Sequence, residues 1–138
     1  MSAVRVLFLC VRNSARSQMA EGLLRAIGGD GFEAHSAGLE AGGMRPEAVD
    51  VMREIGIDIS GQRSKAVDVY AGQPFDLVVT TCDEAREACP LFPGAQRQLH
   101  WSFPDPAAVE GPRRTDAFRH VRDGLKASVE ELVRRTPA

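Results

Sequence analysis

Cysteine is scarce in this chain, three residues in 138, and that scarcity argues against a fold stapled together by disulfides. The few thiols present are better suited to burial, metal binding or catalysis. Long apolar runs are also missing. No stretch approaches the ~20 residues of a membrane span, and the first fifteen residues lack the charged start and small-residue cleavage site of a signal peptide. A cytoplasmic protein with no membrane partner is therefore expected. Neither sign of charge dominates: the formal net charge is −2, which gives no reason to expect nucleic acid as a partner. The positive charge is carried almost wholly by arginine, a bias attributed first to coding and only second to function. There is no internal repeat, low-complexity tract or linker, so residues 1–138 read as one domain large enough to bury a core.

What is present is strand and helix in alternation. Val4 to Leu9 is an apolar run ending at Cys10. Ser17 to Ile27 places Met19, Ala20, Leu23, Leu24 and Ile27 on one helical face, and Gly28-Gly29 stops it. Phe32 to Ser36 reads as a short strand. Pro46 suits the first turn of a helix carrying Val49, Met52 and Ile55, with Gly56 as terminator. Asp76 to Thr81 is β-branched and strand-like, Asp83 to Ala88 is a good helix former, and Gln98 to Trp101 is a fourth strand. Ser102 to Pro106 must be loop, and Thr115 to Arg135 is a last helix with Phe118, Val121, Leu125, Val129 and Leu132 at spacings of three and four. The expected fold class is α/β: a single-domain, doubly wound, four-stranded parallel sheet with helices on both faces. Ligands bind such sheets at the carboxyl ends of the strands, where Cys10, Cys82 and Asp105 would all gather.

Cys10 stands six residues before Arg16, between an expected strand and an expected helix. If Val11 to Arg16 curls so that its backbone N–H groups point inward, it forms an anion nest capped by the positive end of the following helix. Arg16 adds a planar fork of donors for two oxygens of a tetrahedral anion. The same field favours a thiolate at Cys10. Ser17 is placed to donate a hydrogen bond to that sulfur, and Asn13 tolerates the left-handed backbone such a loop needs. The plain alternative is that Cys10 is a small buried hydrophobe at a strand end.

The stretch Cys10-Val11-Arg12-Asn13-Ser14-Ala15-Arg16-Ser17, with Ser36-Ala37-Gly38, Gly56-Ile57-Asp58-Ile59-Ser60 and Asp105-Pro106, resembles the low-molecular-weight tyrosine phosphatase superfamily. Within it, Cys82-Asp83 and Cys89-Pro90 resemble the thioredoxin-coupled arsenate reductases. The resemblance implies a phosphatase-like fold, an oxyanion loop made by Val11, Arg12, Asn13, Ser14, Ala15, Arg16 and Ser17, and a reaction in three thiol steps. Cys10 attacks arsenate, Arg16 binds the oxyanion, and Asp105 is the general acid for the departing oxygen. Cys82 then attacks Cys10 and releases arsenite, Cys89 attacks Cys82, and thioredoxin reduces the Cys82–Cys89 bond. Two electrons come from thiols, so no cofactor and no metal is implied, and a cytoplasmic monomer is expected. Phosphate and sulfate would compete with arsenate.

Departures from the family pattern carry their own expectations. Arg12 stands where glycine is common and puts a cation over the pocket. Ala15 replaces a further cysteine found in many members. Some members bind potassium through residues matching Asn13, Glu21, Ser36 and an aspartate at position 65; here Lys65 implies that an ammonium substitutes for the ion, without stimulation by potassium over sodium. A helix from Asp83 to Ala88 would hold the Cα atoms of Cys82 and Cys89 ~10 Å apart, whereas a disulfide needs roughly 4.4–6.8 Å. That segment is therefore expected to unwind on oxidation.

Other readings remain open at this level. Cys82 and Cys89 could be inert core residues, while a zinc site is disfavoured by the lack of close paired spacing. Asp105, between two prolines, could be a turn former only. A hydrolytic phosphatase is the runner-up function, although Ala107 stands where dedicated tyrosine phosphatases usually carry an aromatic. A non-enzymatic oxyanion or redox sensor would use the same cysteines. His35, His100 and His120 lie outside every motif.

Overall fold

Five successive residues, Val6 to Cys10, are buried. An apolar run without polar alternation is what a strand covered on both faces requires, and this strand, β1 (Val4–Cys10), lies inside the sheet. In the computed structural model, which describes residues 3–81 and 94–136, β1 pairs in parallel with β2 (Phe32–Gly38) on one side and β3 (Phe75–Thr80) on the other. Beyond β3 lies β4 (Ala95–His100), also parallel, giving the order β2-β1-β3-β4. The helices among the described residues are α1 (Arg16–Gly28), α2 (Pro46–Glu54) and α3 (Arg114–Arg135).

The apolar stripes of all three helices meet in one core. Met19, Leu23 and Leu24 of α1, Val51 and Met52 of α2, and Phe118, Val121, Leu125 and Val129 of α3 join Val6, Phe8, Leu77 and Val79 from the sheet. Each such side chain contributes about 1.5–3 kcal/mol by leaving water. The other face of the sheet presents Leu7, Leu9 and Val78, which pack with Tyr70 from the 3-10 turn Val67–Tyr70 and with Phe75. The helix expected from Asp83 to Ala88 lies outside the described residues. No helix among the described residues is long and apolar enough to cross a membrane.

The expected elements that fall within the described residues are present with shifted ends, and each shift has a cause. Helix α1 begins one residue early, at Arg16, and ends at Gly28 because Gly29 adopts φ +59°. Strand β2 runs two residues past Ser36, because its ladder with β1 continues to the pair Cys10 and Gly38. Strand β3 starts at Phe75 and ends at Thr80. Strand β4 begins at Ala95, three residues early, and stops at His100; Gln96 and Arg97 are exposed, the place of its first residues is set by pairing with Phe75 and Leu77, and no alternation in the sequence announces it. Gly56, at φ +81°, closes the turn after α2.

The chain leaves β1 toward β2 on one side and later returns to β3 on the other. This reversal opens a crevice at the carboxyl ends of β1 and β3. Residues after Cys10, Gly38 and Thr80 converge there: the amide of Leu39 donates to Cys10 O at 3.1 Å, and that of Thr81 to Leu9 O at 2.8 Å.

Candidate active site

The segment between Cys10 and α1 is held by its carbonyls. The carbonyls of Cys10, Val11, Arg12 and Ser14 accept hydrogen bonds from the amides of Leu39, Glu40, Gly42 and Arg45, at 2.9–3.1 Å. In a planar trans peptide the N–H points opposite to the C=O, and no peptide bond here is cis. The amides of Val11, Arg12, Asn13 and Ala15 are therefore turned away from the 39–45 segment and toward the inside of the loop. Helix α1 adds to this donor surface. Its N-cap is Ala15, which makes no side-chain cap, and no acidic residue lies in its first turn. The first N–H groups and the positive end of the helix dipole are thus left for an anion.

Two local features let the backbone take this path. Asn13 is the one described non-glycine residue with positive φ, at +52°. Arg12 needs no such conformation, so an arginine is accommodated there without strain. Gly38, at the end of β2, lies against the loop: a Cβ at that position would come within 2.6 Å of Asn13 N and 2.8 Å of Arg12 C. This close approach is the physical content of the Ser36-Ala37-Gly38 motif.

Behind the loop is a buried polar network. Asn13 Nδ2 donates to Ser17 Oγ at 2.8 Å and to Ser36 Oγ at 2.9 Å. Each hydroxyl oxygen thereby receives a proton and directs its own elsewhere: Ser17 Oγ donates to Cys10 Sγ at 3.1 Å, and Ser36 Oγ donates to Glu21 Oε1. Asn13 Oδ1 accepts from Gln18 Nε2 at 2.8 Å and from the Lys65 amide at 2.9 Å. The amide at position 13 thus orients the hydroxyl that faces the sulfur.

Glu21 is buried and meets two cations, Arg25 Nη2 at 2.7 Å and Lys65 Nζ at 3.9 Å. Burial lowers the Lys65 pKa, an effect opposed by the Glu21 carboxylate. The set Asn13, Glu21, Ser36 and Lys65 does not suit a bound potassium ion, because an ammonium and a guanidinium already approach its only carboxylate.

A cavity of about 230 Å³ opens above Cys10, itself only 3% exposed. Val11, Arg12, Ser14, Ala15 and Arg16 line it, together with Asp105 and Ala107 from the segment after β4. Arg16 is buried and donates from Nη1 to Phe103 O at 2.9 Å, so the acid-bearing loop also positions this guanidinium. Asp105 is exposed, and its Oδ1 caps the 3-10 turn Pro106–Ala108 by accepting from Ala107 N at 2.9 Å. Cys10, Arg16 and Asp105, distant in sequence, share one cavity. Cys82 and Cys89 lie outside the described residues.

Sequence reasoning overlooked Arg45, which also lines this cavity. Its only local signal is a place just before Pro46 at a helix start. Gln18 and Phe103 were also passed over, since each acts through a contact that no periodicity reveals. Two larger cavities, of about 380 and 420 Å³, lie elsewhere, beside Trp101 and Leu132 and beside Gly22 and Asp58. Neither has a cysteine among its described lining residues, so volume does not single out the cavity at Cys10. Among the described residues no cluster of three or more His, Cys, Asp or Glu could hold a metal ion.

Residues 5–137 match the family of the low molecular weight phosphotyrosine protein phosphatase. An arsenate reductase of Halalkalibacterium halodurans is 48% identical over 122 residues, covering 87% of this chain and 88% of that protein. A solved arsenate reductase in the phosphate binding state superposes with TM-score 0.86 at 34% identity, over 97% of this chain and 99% of that one. A thioredoxin-dependent arsenate reductase of Corynebacterium glutamicum superposes with TM-score 0.74 at 27% identity, over 96% of this chain and 61% of that one.

Proposed function

The chain belongs to the low molecular weight phosphotyrosine protein phosphatase family, and from that premise we propose that it is an arsenate reductase that works by a three-cysteine relay regenerated by thioredoxin. The observation that carries the reading is Cys10 Sγ at the floor of an anion-shaped cavity, hydrogen-bonded by Ser17 at 3.1 Å, with Arg16 and Asp105 on its walls.

Arsenate enters the cavity, where the inward amides and the Arg16 guanidinium take its charge. The Cys10 thiolate attacks arsenic to form an S–As(V) bond, and one oxygen leaves as water after accepting a proton from Asp105. The Cys82 thiolate then attacks Cys10 Sγ. A disulfide forms, the S–As electron pair passes to arsenic, and arsenite departs with arsenic in the +3 state. Cys89 attacks the Cys82 sulfur, freeing Cys10 as a thiolate and leaving a Cys82–Cys89 disulfide, which the two thiols of thioredoxin reduce. Atoms and electrons balance with thiols alone. The protein acts as a monomer in the cytoplasm, where thiols stay reduced.

A second reading rests on the same cavity. Phosphate shares the shape and charge of arsenate, and Cys10 could form a phosphocysteine that water hydrolyses. Ala107 on the cavity wall offers no ring to clasp an aryl group, so this activity is residual.

The deciding measurement is arsenite production with thioredoxin, thioredoxin reductase and NADPH. Sustained turnover in the wild type and its loss in Cys89→Ser is the expected result. No turnover, together with brisk aryl phosphate hydrolysis, would move the protein to the hydrolytic reading.

A further inference from the structure

Three arginines, Arg12, Arg16 and Arg45, line the cavity above Cys10, and their guanidinium groups differ in what holds them. Arg16 donates to Phe103 O at 2.9 Å. Arg12 is exposed and lies 3.5 Å from Glu40 Oε1. The Arg45 side chain is half-buried and makes no hydrogen bond or ion pair to any described residue. Its backbone, in contrast, is firmly placed. Arg45 is the N-cap of α2 in extended conformation, φ −75° and ψ 127°, and its N–H donates to Ser14 O at 2.9 Å. The main chain therefore ties Arg45 to the loop before α1, while its charged head has no partner among the described residues.

A partly desolvated cation without a partner is costly, and an anion in the cavity would offset that cost. The inward amides and Arg16 can take the oxygens of a tetrahedral anion that face the loop. One oxygen remains, turned away from the Cys10 sulfur toward the mouth. In a free oxyanion it carries charge, whereas in a phosphomonoester it carries carbon.

We propose that Arg45 binds this outward oxygen and is a specificity-determining residue that favours free inorganic oxyanions over phosphate esters. The proposal deepens the arsenate reading given above and rests on it for its biological meaning, but the binding it describes can be tested without turnover.

The test measures protection of Cys10 from alkylation, read at that residue by mass spectrometry, in the intact chain and in Arg45→Met and Arg45→Lys. Inorganic phosphate is one probe and phenylphosphonate, whose outward position carries a ring, is the other. Arg45→Met should weaken phosphate roughly tenfold, equivalent to about 1.4 kcal/mol, and phenylphosphonate by less than about twofold. Arg45→Lys should recover part of the phosphate affinity. Equal weakening of both probes would reduce Arg45 to a general or structural contribution, and no weakening of either would remove it from the site; either result overturns the proposal. Failure of the reduction reading would show separately, as absent arsenite production by the wild type.

Discussion

The loop before α1 and the loop after β4 both line the cavity above Cys10 and are held in different ways. Residues 11–15 sit between a buried strand and a buried helix turn, with three of their carbonyls and that of Cys10 tied to the 39–45 segment and a fully hydrogen-bonded asparagine behind them. Residues 101–105 are largely exposed, and Asp105 is held by a bond to its own turn. A main link between the loops is the Arg16 guanidinium on Phe103 O. On the proposed reading, anion binding is preorganised by the fold, whereas Asp105, the proposed proton donor, sits on an exposed turn. Burial of charge near the thiol demands a rigid, fully partnered surround, while an acid that must exchange protons with water gains from exposure.

The sharpest way to break this contrast is at the sulfur. Cys10→Ser should lower both arsenite formation and aryl phosphate hydrolysis by more than about 10⁴-fold, the scale on which a missing covalent nucleophile is felt, with an unchanged circular dichroism spectrum. Next is the exposed side. Asp105→Asn should lower aryl phosphate hydrolysis by about 10²–10⁴-fold while phosphate affinity, measured by calorimetry, stays the same. A large loss of affinity would mean that Asp105 shapes the pocket.

Gly38→Ala probes the rigid side. The added methyl would meet backbone atoms of Asn13, Arg12 and Glu40 at 2.6–2.8 Å, none of which can swing aside. A loss of about 1–3 kcal/mol in urea unfolding, together with weaker phosphate binding, is expected. Loss of stability with normal phosphate binding would show that the loop tolerates displacement.

The smallest effect is expected far from both loops. Glu54 binds Arg119 through both carboxylate oxygens and also Arg122 Nη1 at 2.8 Å. The Arg119 hydrogen bonds, with help from Arg122, hold its carboxyl down from 4.5 to about 2. A depressed carboxylate stabilises the fold above its unfolded value and loses that contribution as pH falls through the folded one. The melting temperature of wild type should exceed that of Glu54→Gln above pH 4.5, and the gap should close as pH approaches 2. Activity at neutral pH should not differ.

Much of this was legible from local pattern. The unbroken apolar run of β1, the three-and-four spacing along α3 and the glycines after α1 and α2 state their own structure, because burial and backbone conformation are local demands. The placement of Cys10 before a helix start likewise points to the proposed anion site, since the donors there are the backbone itself. β4 was less legible, as an edge strand lacks a two-sided hydrophobic pattern, and its first residues pair only because β3 is there.

The sequence by itself determined the alternation of strand and helix, the parallel sheet and the place of the loop between Cys10 and α1, because periodicity and spacing encode which faces are buried and which N–H groups are left over. Tertiary structure alone decided that Arg16 is steadied by Phe103, that Asn13 orients the Ser17 hydroxyl toward Cys10, that Lys65 and Arg25 converge on Glu21, and that Arg45 joins the lining of the cavity above Cys10. These contacts span up to 87 residues of chain. Their geometry follows from strand order and the crevice it opens, and no local propensity carries that information.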